Sequence, residues 1–174
     1  MSNQDLILYG GIATTVLVIA LYLIYWYREK KSIQVTEAPA SRPAGESTLN
    51  LRLQAYERLV MLAERISLPS LITRIPAGDL TVRQYQGVLI DQIKTEFDYN
   101  LSQQIYVAAP AWQAVNNLKE QNIFIINQIG QALPAEIKGN ELSRKIADLL
   151  NADPRVSLHP MVLEALNYEA KKLL

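Results

Sequence analysis

From Leu6 to Tyr27 the chain reads LILYGGIATTVLVIALYLIYWY, without a single charged side chain. At about 1.5 Å of rise per residue, a helix of this run reaches roughly 33 Å, enough to cross a hydrocarbon layer of about 30 Å. Tyr22, Tyr25, Trp26 and Tyr27 crowd its C-terminal end, where amphipathic rings favour the headgroup level. A cleaved signal peptide would instead open on a basic region, carry a shorter apolar stretch and end in small residues. Here Asp5 precedes the run and bulky aromatics follow it, so the segment is expected to be a permanent single-pass anchor in the lipid bilayer.

Direction follows from the flanks. Arg28, Lys30 and Lys31 stand directly after the aromatics, and positive charge marks the cytoplasmic side. The expectation is an N-terminus outside and a C-terminal domain in the cytoplasm, at a bacterial inner membrane. Gly10 with Thr14, and Gly11 with Thr15, have the small-xxx-small spacing that lets a second helix approach closely. They form the candidate transmembrane packing face, and a purely homotypic structural protein is one reading of it.

Residues 1–31 thus form the tail and anchor. Ser32 to Thr48 (SIQVTEAPASRPAGEST) carries prolines, glycine and small residues without apolar periodicity, the composition of a flexible tether. Beyond it, residues 49–174 repeat apolar positions at helical spacing. Leu49, Leu53, Tyr56, Leu59, Val60, Ala63 and Ile66 share one face of a first helix. Pro69 and Pro76 bracket a turn or brief helix, SLITRI. Asp79 or Thr81 caps a long helix to about Val107, which Ala109-Pro110 ends. Another helix spans about Ala111 to Leu133, and a further one opens at Asn140 and runs to about Leu150. Pro160 starts the last, with a stripe of Val162, Leu163, Leu166, Ala170 and Leu173. With no strand alternation and no repeat, the fold expected is all-α, a cytoplasmic bundle of four to five helices.

The pattern breaks at three amides. Val82, Leu89, Ile93, Phe97 and Leu101 define one inward stripe, and Asn100 and Gln104 fall within it. Val115, Leu118, Ile126, Ile129 and Leu133 define another, which contains Asn122. Buried amides need hydrogen-bond partners. Asn100, Gln104 and Asn122 are therefore the candidate buried polar network, with a ligand-binding pocket or a subunit interface as the sharper alternatives. Charge is also sparse: none lies between Tyr99 and Leu118, and none between Glu120 and Glu136. Phe124 projects away from the inward stripe there, making it the candidate interaction surface for an unidentified protein partner or for self-association.

Several chemistries are excluded. Without cysteine the chain has no disulfide, no thiolate nucleophile and no cysteine-held metal. One histidine, His159, cannot supply the paired ExxH motifs of a di-iron bundle, and its place before Pro160 suits capping or surface exposure. Glu96 and Asp98 point to different faces of a helix and make no carboxylate pair. Phosphate loops, HExxH and nucleophile elbows are missing. With 17 basic and 17 acidic residues, nucleic acid is not an expected partner. No catalytic residue, metal or cofactor is expected.

The stretch QAYERLVMLAERISLPSLITRI (Gln54 to Ile75), then EFDYNLSQQIYV (Glu96 to Val107), Trp112 and Lys119-Glu120 resemble an uncharacterised family of small, membrane-anchored helical proteins of Bacteroidota-type bacteria. The likeness covers roughly Leu49 to Leu133. It implies an inner-membrane setting and transfers no functional residue. The function expected is a membrane-tethered, non-enzymatic interaction or scaffold module, an accessory part of an inner-membrane assembly. The alternative is a small-ligand sensor or enzyme with an amide-lined pocket.

Overall fold

A computed structural model of the protein describes residues 44–174. They form α1 (Ala44–Ile66), α2 (Leu68–Arg74), α3 (Val82–Tyr99), α4 (Ala109–Ala132), α5 (Asn140–Ala152) and α6 (His159–Lys171), with 3-10 turns at Leu101–Ile105 and Pro154–Val156. The described part is all-α. It has six helices rather than four or five, because SLITRI belongs to a helix of its own. Ser67 caps that helix by accepting from the Ser70 amide at 3.4 Å, and Pro69 sits in its first turn, where no N–H is missed.

The expected anchor at Leu6–Tyr27, with Gly10, Gly11, Thr14 and Thr15, lies outside the described residues, as does most of the expected tether. The tether's last residues, from Ala44, are already helical and belong to α1. Among the described helices none is long and apolar enough to cross a membrane.

One core joins the helices. Tyr56, Leu59, Leu62 and Ile66 of α1 meet Tyr85, Leu89 and Ile93 of α3, and Val115, Leu118 and Ile126 of α4. Leu142 and Ile146 of α5 and Val162 and Leu166 of α6 complete it. α4 lies centrally, packing against α1, α3, α5 and α6. That position accounts for its lack of charge on the sides that face its neighbours, since an unpaired charge there would be desolvated.

Two expected boundaries move. α3 stops at Tyr99 instead of running to Val107: the Asn100 side chain turns back and donates to the Glu96 carbonyl at 2.9 Å, and its backbone N–H donates to Phe97 at 3.0 Å. Leu101 thereby leaves the inward stripe and is exposed. Ala109-Pro110 opens α4 rather than closing α3, because proline is tolerated in a first helical turn. The Tyr56 hydroxyl accepts from the Ala108 amide just before this start, at 3.0 Å.

The start of α3 is closed from two directions. Thr81 and Gln84 form a reciprocal capping box, while the amides of Val82 and Arg83 donate to the carbonyls of Ile137 at 2.9 Å and Ala135 at 3.2 Å. This brings Gly139 against Leu80, whose carbonyl accepts the glycine amide at 2.8 Å. A Cβ at Gly139 would fall 2.9 Å from the Tyr85 Cβ and 3.0 Å from the Leu80 oxygen. Neither is the free end of a flexible chain. Gly139→Ala is therefore expected to cost about 1–2 kcal/mol through overpacking, read as a lower urea midpoint; an unchanged midpoint would refute the close approach.

Candidate functional site

The three predicted amides do not meet. Asn122 is wholly buried, and its Nδ2 donates to the carbonyl of Ile66, the last residue of α1, at 2.8 Å. Asn100 is buried too but serves the end of α3. Gln104 lies exposed on the 3-10 turn, outside any buried network, because α3 ended before reaching it. The expected pocket lined by all three is thus not formed.

Other amides carry the polar contacts between helices. Gln121 of α4 acts as a clamp: its Nε2 donates to the Val156 carbonyl at 2.8 Å and its Oε1 accepts from the Leu158 amide at 2.9 Å. Gln86 of α3 donates to Asn127 of α4 at 2.7 Å, crossing the helix pair where Gly130 leaves room for it. Gln121 thereby satisfies two backbone groups at the connection before α6, whereas Gln86 and Asn127 pair side chain to side chain and leave the Gln86 Oε1 without a donor among the described residues. The His159 Nε2 of α6 lies 3.2 Å from the Glu64 carboxylate of α1 without forming a hydrogen bond to it.

An open cleft of about 590 Å³ lies between α1 and the C-terminal end of α3. Arg58, Met61, Leu62 and Arg65 line it from α1, one turn apart, and Thr95, Glu96, Tyr99 and Asn100 line it opposite. Of the three predicted amides, Asn100 alone borders this cleft.

At its inner wall stands an ion cluster built on Glu96, which is buried. Arg65 grips the carboxylate as a fork, with Nε 2.8 Å from Oε2 and Nη2 on Oε1. Arg74 of α2 adds a contact at 3.2 Å and Gln92 another at 2.9 Å. Arg74 also donates to the Arg65 carbonyl at 2.9 Å. The hydrogen bonds from Arg65 hold the Glu96 carboxyl below its ordinary value, against the opposing effect of burial; Arg74 and Gln92 assist. Two guanidinium groups thus share one carboxylate, and Arg58 makes no ion pair among the described residues. The cleft is positive. Glu96 falls next to Phe97 on the inward stripe, and a carboxylate there was the one signal in the sequence for a buried ion pair.

The outer side of α4 is a second distinct surface. Gln113, Asn117, Glu120, Phe124, Gln128 and Gln131 are exposed at intervals of three and four, one continuous stripe. Its one charge, Glu120, is 2.9 Å from Lys119, and Lys119 itself lies over the Phe97 ring at 4.2 Å. Phe124 stands 61% exposed at the stripe's centre. Among the described residues no group of three or more acidic or histidine side chains is placed to hold a metal ion.

Compared with known proteins, residues 3–173 match a family of unknown function, DUF7935, and the chain belongs to it. No curated protein and no solved structure matches it.

Proposed function

We propose that this member of DUF7935 is a membrane-tethered, non-enzymatic interaction module, an accessory part of an inner-membrane assembly. In this reading Leu6–Tyr27 moors the chain, the bundle lies on the cytoplasmic side, and the outer stripe of α4 binds a protein. The uncharged, aromatic-bearing run supports the anchor, and the family match runs through it. The observation that carries the interaction reading is Phe124. A large aromatic exposed on a central helix, in a stripe of amides with a single acidic residue, is the kind of residue that anchors interfaces.

Phe124→Glu tests this in the full chain purified in a gentle detergent. Proteins retained in stoichiometric amount, or a dimer mass by light scattering, are expected with the native chain and lost with the variant. Thermal stability is expected to change by less than about 0.5 kcal/mol, since the side chain is exposed. The same partners or mass in both forms would rule out this surface.

A further inference from the structure

The Glu96 cleft is a separate surface, and its chemistry is specific enough to define an occupant. We infer that it docks a short segment of a partner protein in which a carboxylate side chain stands beside a bulky apolar one. Arg65 is already fixed in direction, because Glu96 holds one edge of its guanidinium and α2 braces the cluster through Arg74. A group fixed this way loses little freedom when its other edge meets a second carboxylate. Arg58, two helical turns before Arg65 on α1, supplies a guanidinium that no described residue pairs with, and the fork of such a group suits a carboxylate in two-point contact.

The apolar half of the match comes from Met61 of α1 and Tyr99 of α3, which both line the cleft and are 62% and 78% exposed. Leu62 forms part of the lining between them. Thioether and phenol rings are adaptable, sticky contacts for an aliphatic or aromatic side chain. The cavity of about 590 Å³ accommodates a few side chains and is open along one side, as an extended or helical segment requires.

The same geometry disfavours a flat anionic membrane as the occupant. Glu57 and Glu64 are exposed on α1 beside Arg58 and Arg65, so a plane laid on this helix meets charges of both signs and gains little net attraction. A narrow segment entering the cleft meets Arg58 and Arg65, while the one carboxylate of the lining, Glu96, is already engaged by Arg65, Arg74 and Gln92.

The test uses the full chain in detergent and two synthetic probes: a peptide alternating glutamate with leucine, and its counterpart with glutamine in place of glutamate. The acidic peptide is expected to bind at least tenfold more tightly than the neutral one. Arg58→Gln and Tyr99→Ala, both at exposed positions, are each expected to weaken it severalfold with thermal unfolding unchanged, and moderate salt to weaken it further. Equal binding of the two peptides, or binding indifferent to both variants, would overturn the proposal. So would Arg58-dependent capture of phosphatidylglycerol vesicles without peptide binding, which would assign the cleft to lipid. Phe124→Glu is expected to leave peptide binding intact, so failure here and failure at the α4 stripe are read separately.

Discussion

Asn122→Ala is expected to lower the stability of the bundle by about 2–4 kcal/mol. The estimate combines an orphaned carbonyl at the end of α1, about 1–3 kcal/mol, with the packing lost where the side chain is wholly buried, about 1 kcal/mol. A series at this position separates the two. Asn122→Leu fills the space and removes Oδ1, which meets no donor among the described residues, so it is expected to be milder than alanine. Asn122→Asp keeps the shape but turns an acceptor toward the Ile66 oxygen in a site without solvent, and is expected to be the most destabilising of the three. Urea unfolding monitored by circular dichroism gives the order. An order with aspartate mildest would show that the amide's donor is not what joins α4 to α1.

Glu96→Gln is expected to cost about 1–3 kcal/mol at neutral pH, toward the lower end because Arg65 is half exposed and can rehydrate. Its larger consequence is a change in pH dependence. The folded carboxyl lies below its ordinary value of 4.5 because Arg65 hydrogen-bonds the charged form. The unfolded chain therefore takes up a proton first as pH falls. The stabilisation is fully present above about pH 4.5 and declines below it, as pH drops toward and through the folded value. The native chain should show a loss of thermal midpoint in acid that is shallower in Glu96→Gln, with the two curves converging at the lowest pH. Parallel curves from neutral to acid would mean that Glu96 carries no pH-linked stability.

Helical periodicity exposed most of the fold in the sequence. The faces containing Tyr56, Leu59 and Ile66, or Val162 and Leu166, are inward as their spacing predicts, and the Thr81 cap and Pro160 start also stand where local chemistry puts them. Local chemistry was less decisive at Asn100 and Pro110. Asparagine in a helical stripe can continue the helix or fold back on its own backbone, and proline can end one helix or begin the next; tertiary packing chose. The polar contacts between helices were hardest to read. A helical wheel placed Asn122 inside, but it carries no information about which distant carbonyl an amide will meet. The wheel therefore does not single out Gln121 or Gln86, and it buries Gln104, which the end of α3 leaves exposed. The Glu96 cluster joins residues from three helices, and no spacing rule connects Arg65 or Arg74 to a carboxylate so far along the chain.

The closures at the helix ends have a consequence for how the bundle opens. The amides of Ala108 and Leu158, and those of Val82 and Arg83, are held by groups from other parts of the chain rather than by their own turns. A connection tied in this way cannot fray by itself, because letting go leaves an unpaired group on the element that held it. Each loop is thereby coupled to the global transition, and local excursions of the kind that expose single segments to proteases are suppressed. The bundle is therefore expected to open as one foldon, its joints exchanging amide protons together with its helices.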